Sequence, residues 1–384
     1  MKIAVFTDTY LPQTNGVVTY LVDSLRLLSK NADVVLFAPG GRDLRVEQHS
    51  PRMKIYWIPA SPFPFYESYR IASFNYRRVS GILNKEKPDI VHAHAPVPLG
   101  LQGLLWAKRH HVPSVITYHT HFPDYLPHLL NGKLPTFLHG LGRQSVRQLI
   151  CHIFGRVDVV TAPTYELCDE LRSYGLHNVV HMPNGVDFRK FRAGPKAGAA
   201  FRNAYGIGQC RVVLYVGRIS FEKRLDILLE AFRMIEDRNR ALVIVGSGPY
   251  LGKLKELAAA LKARKVIFTG FVKDAGAAYQ CADIFVSASD TETFGMTFVE
   301  AMHAGLPTIG VRKLGAKEVI TSKCGLLVEP GSPGELGRAM EKLLDDENLR
   351  ANMAKEAVKR AAQYSIEKSV RKTLGIYRGL LGRR

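Results

Sequence analysis

Two successive series of short apolar runs, separated by amphipathic stretches, leave this chain few folds to choose from. The first series opens with Lys-Ile-Ala-Val-Phe-Thr at 2–7, which turns polar too soon for a signal peptide and reads as a buried strand. Residues 17–30 follow as a helix, with Leu21, Leu25 and Leu28 on one face. Further strands are expected at 33–37, 53–58, 88–92, 114–118, 157–161 and 178–182, and the clearest helices at 99–109 and 136–154. A second series places strands at 211–217, 241–246, 265–269, 283–287, 307–311 and 325–328, with helices at 222–236, 250–263 and 332–345. Strand–helix alternation of this kind predicts an α/β class, with parallel sheets carrying helices on both faces.

The 384 residues are too many for one ordinary core. Turn chemistry at Pro183-Asn184-Gly185-Val186-Asp187, and the Gly/Ala/Pro-rich stretch at 193–200 after it, mark the expected domain boundary. The division is 1–187, 188–365, and a terminal helix over 366–384 that is expected to cross back to the first domain. Doubly wound sheets bind ligands outside the carboxyl ends of their strands, so two facing sheets would put the site in the cleft between domains.

The second series carries the most informative segment. Residues 288–305 read Ala-Ser-Asp-Thr-Glu-Thr-Phe-Gly-Met-Thr-Phe-Val-Glu-Ala-Met-His-Ala-Gly, following a strand and opening a helix. The amides around Gly295, Met296 and Thr297 fall at that helix start, where unpaired N–H groups and the dipole favour a diphosphate. Glu292 and Glu300 lie on either side, and carboxylates accept hydrogen bonds from paired sugar hydroxyls. Their bland reading is a helix with acids near its positive end. In Gly-Arg-Ile-Ser-Phe-Glu-Lys-Arg at 217–224, Arg218 and Lys223 straddle an expected helix start, where cations oppose the dipole. Two fixed cations there can neutralise a departing nucleoside diphosphate without a metal, although a solvated basic surface is the plainer alternative. The first βα turn, 8–17, contains Tyr10 and Gly16 but lacks the full Gly-x-Gly-x-x-Gly pattern, which disfavours a hydride-transfer cofactor.

Together these segments resemble the retaining glycosyltransferases of family 4, which have the GT-B fold. The resemblance rests on Asp-Thr-Tyr-x-Pro…Asn-Gly-Val at the start, His-Ala-His at 92–94, Tyr-His-Thr-His at 118–121 and Pro-Asn-Gly-Val-Asp at 183–187. It continues with Val-Gly-Arg…Glu-Lys at 216–223, Val-Gly-x-Gly-Pro at 245–249 and Glu-x7-Glu at 292–300, in family order over roughly 1–365. The resemblance implies two Rossmann-like domains, the first binding acceptor and the second a nucleotide-sugar. By position, Arg218 and Lys223 match the pair on the donor diphosphate, Glu292 the donor-sugar contact and Glu300 the ribose contact. Gly295, Met296 and Thr297 match backbone contacts to sugar and phosphate, Val272 a contact to the base, and Gly16 the first-domain loop near the diphosphate. His119 matches the histidine that reaches the donor sugar. Family members retain anomeric configuration, need no metal or other cofactor, and form α-glycosides. One departure stands out: where many members have Gly-Gly-x-x-Glu, this chain has Leu-Gly-Ala-Lys-Glu at 314–318, with Leu314 in place of the first glycine.

Two features point to a lipid acceptor. Residues 61–78 alternate aromatics with arginines, as at a membrane interface, though the aromatics of a core-filling loop would read the same way. Residues 118–130 are similar to the matching segment of diacylglycerol glucosyltransferases. Tyr10, Arg70 and Asp124 are the candidate acceptor contacts. The formal charge of +19 calls for an anionic partner, and a peripheral place on the cytoplasmic face of the membrane suits it. No apolar run approaches the length of a membrane span, and the five cysteines have neither metal-ligand nor redox spacing.

Three rival readings remain. His92, His94, His119 and His121 at strand ends could hold a metal, but side chains alternate across a strand and no carboxylate set accompanies them. A sugar-phosphate synthase or epimerase, or an enzyme with a soluble acceptor, shares the same diphosphate site. A nucleic-acid binder is disfavoured by basic residues spread without an aromatic stacking platform.

Overall fold

The computed structural model describes residues 1–13, 15–63, 66–119, 136–237, 239–263 and 265–382, with backbone alone at 63, 66–68, 136–143 and 146. The chain divides into two compact units, Met1–Gly185 with Ile366–Arg384, and Val186–Ser365.

In the first unit the strands are β1 (Lys2–Phe6), β2 (Asp33–Pro39), β3 (Arg45–Ser50), β4 (Met53–Ile58), β5 (Ala60–Phe63), β6 (Tyr66–Ala72), β7 (Ile90–Ala93), β8 (Ser114–Thr117), β9 (Val159–Ala162) and β10 (Val179–His181). Eight form one sheet in the order β10-β9-β8-β7-β1-β2-β4-β3, parallel except for the β3–β4 edge. Its central strands are buried on both faces and therefore read as continuous aliphatic runs. The helices are α1 (Gly16–Leu28), α2 (Tyr76–Glu86), α3 (Pro98–Arg109), α4 (Thr136–Phe154) and α5 (Tyr165–Ser173). Phe6 stacks on Phe37 with ring centroids 4.4 Å apart, joining β1 to β2 in the core.

The second unit holds β11 (Arg211–Val216), β12 (Arg240–Val245), β13 (Val266–Gly270), β14 (Ile284–Val286), β15 (Thr308–Val311) and β16 (Gly325–Val328). They form an all-parallel sheet in the order β13-β12-β11-β14-β15-β16. The direction of winding reverses between β11 and β14, the place where doubly wound sheets leave a ligand crevice. Around it lie α6 (Pro195–Ala204), α7 (Leu225–Arg233), α8 (Leu251–Ala260), α9 (Ala275–Gln280), α10 (Met296–His303), α11 (Leu314–Val319), α12 (Pro333–Asp345) and α13 (Glu347–Ala361). On α7, Leu225, Ile227, Leu228, Leu229 and Phe232 are buried against the sheet, each apolar side chain contributing roughly 1.5–3 kcal/mol. The last helix, α14 (Ile366–Leu381), belongs to the first unit and packs on α1.

One expectation is corrected, and two other segments take a form that their sequence does not spell out. From Pro195 the stretch at 193–200 is the start of α6, whose Gly198 packs so close to Gln280 that a Cβ would meet its carbonyl at 2.4 Å. Proline at the first helical position and four alanines favour a helix there once it can pack. The helix expected over 222–236 is broken at Arg224, whose φ of 48° is left-handed, giving a 3₁₀ turn at Phe221–Lys223 and then α7. Within 61–78 the described residues contribute to the antiparallel strands β5 and β6 and to the start of α2.

Candidate functional site

In the second unit the loops leaving β11 and β14 flank the switch point. The first, 217–224, is laid against the loop after β12: Ile219 donates its amide to Ser247 at 2.9 Å and accepts from Tyr250 at 3.1 Å. Contact this close requires Gly246, since a Cβ there would lie 1.9 Å from the Gly217 carbonyl. The Tyr215 hydroxyl, beneath the sheet edge, donates to the Arg218 carbonyl at 3.0 Å. Arg218 is partly exposed, and Lys223 ends the 3₁₀ turn of the same loop.

Lys223 and Glu292 meet across the switch point, Nζ to Oε1 at 2.6 Å, both side chains about four-fifths buried. The two loops are also stitched together by hydroxyls of Ser289 and Thr291, which donate to the Glu222 carbonyl at 3.3 and 3.4 Å. On the other side, the Gly315 amide donates to the Glu292 carbonyl at 2.7 Å. Leu314, just before it, is buried with a left-handed φ of 45°. The backbone bend is thus the one glycine would adopt freely, here made by leucine.

Gly295 opens α10 with φ 79°, and a Cβ there would strike the Phe298 ring at 2.6 Å. The helix start, with Met296 and Thr297 in its first turn, provides outward N–H groups and positive dipole beside the ion pair. Glu300, further along α10, is buried and accepts from the Tyr279 hydroxyl at 2.7 Å. Burial and the neighbouring Glu300 charge raise that phenol well above its ordinary range. Val272 lies partly buried in the loop after β13.

The first unit contributes a second polar cluster, at the carboxyl ends of β7 and β8. His94 Nδ1 and His119 Nε2 are 2.8 Å apart, and the His92 ring lies tilted against that of His94 with centroids 4.1 Å apart. His92 bonds the Tyr377 hydroxyl of α14 through Nδ1 at 2.5 Å and Thr117 through Nε2 at 2.7 Å. Burial pushes His92 and His119 down to about 3, and His94 well below the ordinary histidine value, so all three are neutral at pH 7. Among the described residues, His119 Nδ1 is buried with no hydrogen-bond partner. An orphan of this kind costs about 1–3 kcal/mol, and such costs collect where ligands bind.

Gly16 is exposed at the start of α1, which Asn15 caps by accepting the Val18 amide at 2.9 Å. Asp8, in the same βα turn, is buried and accepts from the Leu99 and Gly100 amides at the start of α3, at 3.0 and 3.3 Å. Burial outweighs those two amides and lifts its carboxyl to about 6. Of the acceptor candidates, Tyr10 is 3% exposed against Trp57, and Arg70 is exposed and donates to the Gly40 carbonyl at 2.9 Å. Asp124 and His121 lie outside the described residues. Among the described residues no group of three histidine, cysteine or acidic side chains could hold a metal ion.

The structure therefore joins Lys223 to Glu292 directly, sets Gly295, Met296, Thr297 and Glu300 on one short helix, and places Arg218 on the Lys223 loop. Tyr279 stands in no motif, and Ser289, Thr291 and Gly315 stand in motifs that assign them no role; each acts across the fold. His92 and His94 stood in a visible motif, but their link to Tyr377 did not.

Comparison with known proteins gives concordant matches in both halves. Residues 14–190 match the domain described as Glycosyltransferase Family 4, and residues 199–360 the domain described as Glycosyl transferases group 1. The chain is 30% identical over 369 residues to the alpha-monoglucosyldiacylglycerol synthase of Streptococcus pneumoniae, covering 93% of this chain and 81% of that protein. It is 29% identical over 352 residues to a GDP-mannose-dependent alpha-mannosyltransferase of Corynebacterium glutamicum, covering 90% of this chain and 81% of that protein. Its fold matches that of HepE from Anabaena, solved in complex with UDP and glucose, with a TM-score of 0.79, 19% identity, and 98% and 99% of the two chains covered.

Proposed function

Since this chain belongs to glycosyltransferase family 4, with the GT-B fold and hexosyltransferase activity, we propose that it transfers a hexose from a nucleoside-diphosphate sugar to a membrane lipid. The favoured acceptor is diacylglycerol or a related glycerolipid, and the product is an α-glycoside formed with retention of configuration. The observation that carries the donor reading is the Lys223–Glu292 pair beside the Gly295 helix start at the switch point. Arg218 and Lys223 take the diphosphate, Glu292 the donor sugar, Glu300 the ribose, and Val272 the base. His119 reaches the sugar hydroxyls through Nδ1. The name of the pneumococcal relative supports the lipid acceptor and the α linkage.

The transition state on this reading is oxocarbenium-like, with negative charge growing on the departing diphosphate. Attack comes from the face the diphosphate leaves, and a leaving-group oxygen takes the acceptor proton. Lys223 and Arg218 stabilise that growing charge without a metal, acting mainly in the transition state. The enzyme works as a peripheral protein on the anionic cytoplasmic surface of the membrane.

Relatives that use GDP-mannose give a second reading of the donor. Incubation with labelled UDP-glucose or GDP-mannose and diacylglycerol vesicles, in the presence of EDTA, separates them. An α-linked glycolipid from one donor supports the proposal. Label found only in rearranged or hydrolysed donor, or transfer only to a soluble acceptor, overturns the lipid reading.

A further inference from the structure

The polar cluster of the first unit contains more than the transfer site calls for, and the extra residues come from α14. Two routes run from that helix to His119. One goes from the Tyr377 hydroxyl to His92, whose ring lies tilted against His94, and His94 bonds His119 Nε2 at 2.8 Å. The other goes from Ser369, whose hydroxyl lies 3.2 Å from that of Tyr20 on α1, and the Tyr20 ring sits tilted against His119 with centroids 5.7 Å apart. Tyr20, Ser369, His92 and Tyr377 are all buried.

A phenol held at 2.5 Å is the natural donor to His92 Nδ1. A positioning role for Tyr377 then requires the His92 hydrogen on Nε2, donated to Thr117 at 2.7 Å, with Thr117 donating in turn to Thr161 and Thr161 to the Ile116 carbonyl. In that order His92 is held from both ends, His94 lies against its ring, and His119 bonds and stacks on His94.

We propose that Tyr377 and Ser369 are positioning residues for transfer: α14 holds His119 in the one orientation that leaves its Nδ1 unpartnered for a hydroxyl of the donor sugar. This rests on His119 contacting that sugar, as proposed above. Holding a reacting group in place is worth a large rate factor, because small displacements are heavily penalised. A nucleoside diphosphate lacks the transferred sugar, so on this proposal its binding does not depend on His119.

The test compares Tyr377→Phe, Ser369→Ala and His119→Ala with the unmodified chain, using UDP-glucose (or GDP-mannose, if that is the donor turned over) and diacylglycerol vesicles. Tyr377→Phe and Ser369→Ala are expected to lower kcat about tenfold, while the Kd of the nucleoside diphosphate stays unchanged. Equal loss of turnover and of diphosphate binding would mean general damage to the fold and overturn the proposal. So would normal turnover in both variants while His119→Ala is inactive, an outcome that leaves the function itself standing. Full activity of His119→Ala removes the sugar contact on which the proposal depends. Should Tyr377→Phe fail to fold, nitrogen-15 NMR of the unmodified protein still decides. His92 protonated on Nε2 supports the relay, and His92 protonated on Nδ1 overturns it.

Discussion

The side chains at the switch point are neutralised by one another before any ligand arrives. Lys223 is held by Glu292 at 2.6 Å, so a diphosphate must compete with a carboxylate for the same ammonium. Lys223→Ala should lower kcat about a hundredfold with a much smaller change in donor KM, since its charge is needed most as the diphosphate leaves. Steady-state kinetics check this, and a variant changed only in KM would contradict the role. Leu314 is a different kind of residue-scale fact. Its left-handed backbone costs about 1–2 kcal/mol, which Leu314→Gly would relieve. The same change empties a buried leucine site, worth about 2–5 kcal/mol, so net destabilisation is expected in a denaturant melt. The sequence showed leucine where relatives have glycine. It did not show that the backbone keeps the glycine bend and uses it to set the Gly315 amide on Glu292. The buried titratable groups also pull in opposite directions with pH. His92 and His119, held near 3, lose stability as pH falls below their unfolded value of about 6.5. Asp8, lifted from 3.8 to about 6, regains about 3 kcal/mol over the same descent as it protonates. Asp8→Asn should therefore make the loss of stability between pH 6.5 and 4 steeper than in the unmodified protein. Parallel Tm-against-pH curves would refute this.

Elements were legible wherever apolar period and length agreed. The parallel strands of both sheets lie within a residue or two of the expected runs, because strands buried on both faces announce themselves as unbroken aliphatic stretches. The antiparallel edge strand β3, with Arg45, Glu47, Gln48 and His49, carries no such run and was invisible. The break at Arg224 was missed for another reason: a left-handed arginine has no sequence signature, and it is the packing of the turn that makes it possible. The start of α10 was visible through Gly295, and its geometry supports a prediction. Gly295→Ala forces a Cβ into a left-handed position 2.6 Å from the Phe298 ring, at a cost of about 1–2 kcal/mol in backbone strain alone. A lower Tm together with weaker nucleoside-diphosphate binding is expected. An unchanged melt with intact binding would show that the helix start is neither strained nor part of the site.

For the molecule as a whole, the excess of 53 basic over 34 acidic residues is the property most exposed to test. No helix among the described residues is long and apolar enough to cross a membrane. Flotation with phosphatidylglycerol vesicles should retain the protein, and retention should fall as salt shortens the Debye length from ~10 Å at 0.1 M to ~3 Å at 1 M. Equal retention on neutral phosphatidylcholine would assign the charge elsewhere. The membership of α14 has a bearing on biosynthesis. Synthesis runs from the amino end and units usually settle in that order, yet the polar heart around His92 lacks its phenol until Tyr377 has been made. The half begun first is thus completed last. A nascent chain stalled before residue 366 would lack the phenol that His92 bonds in the first unit, its imidazoles still awaiting their keystone.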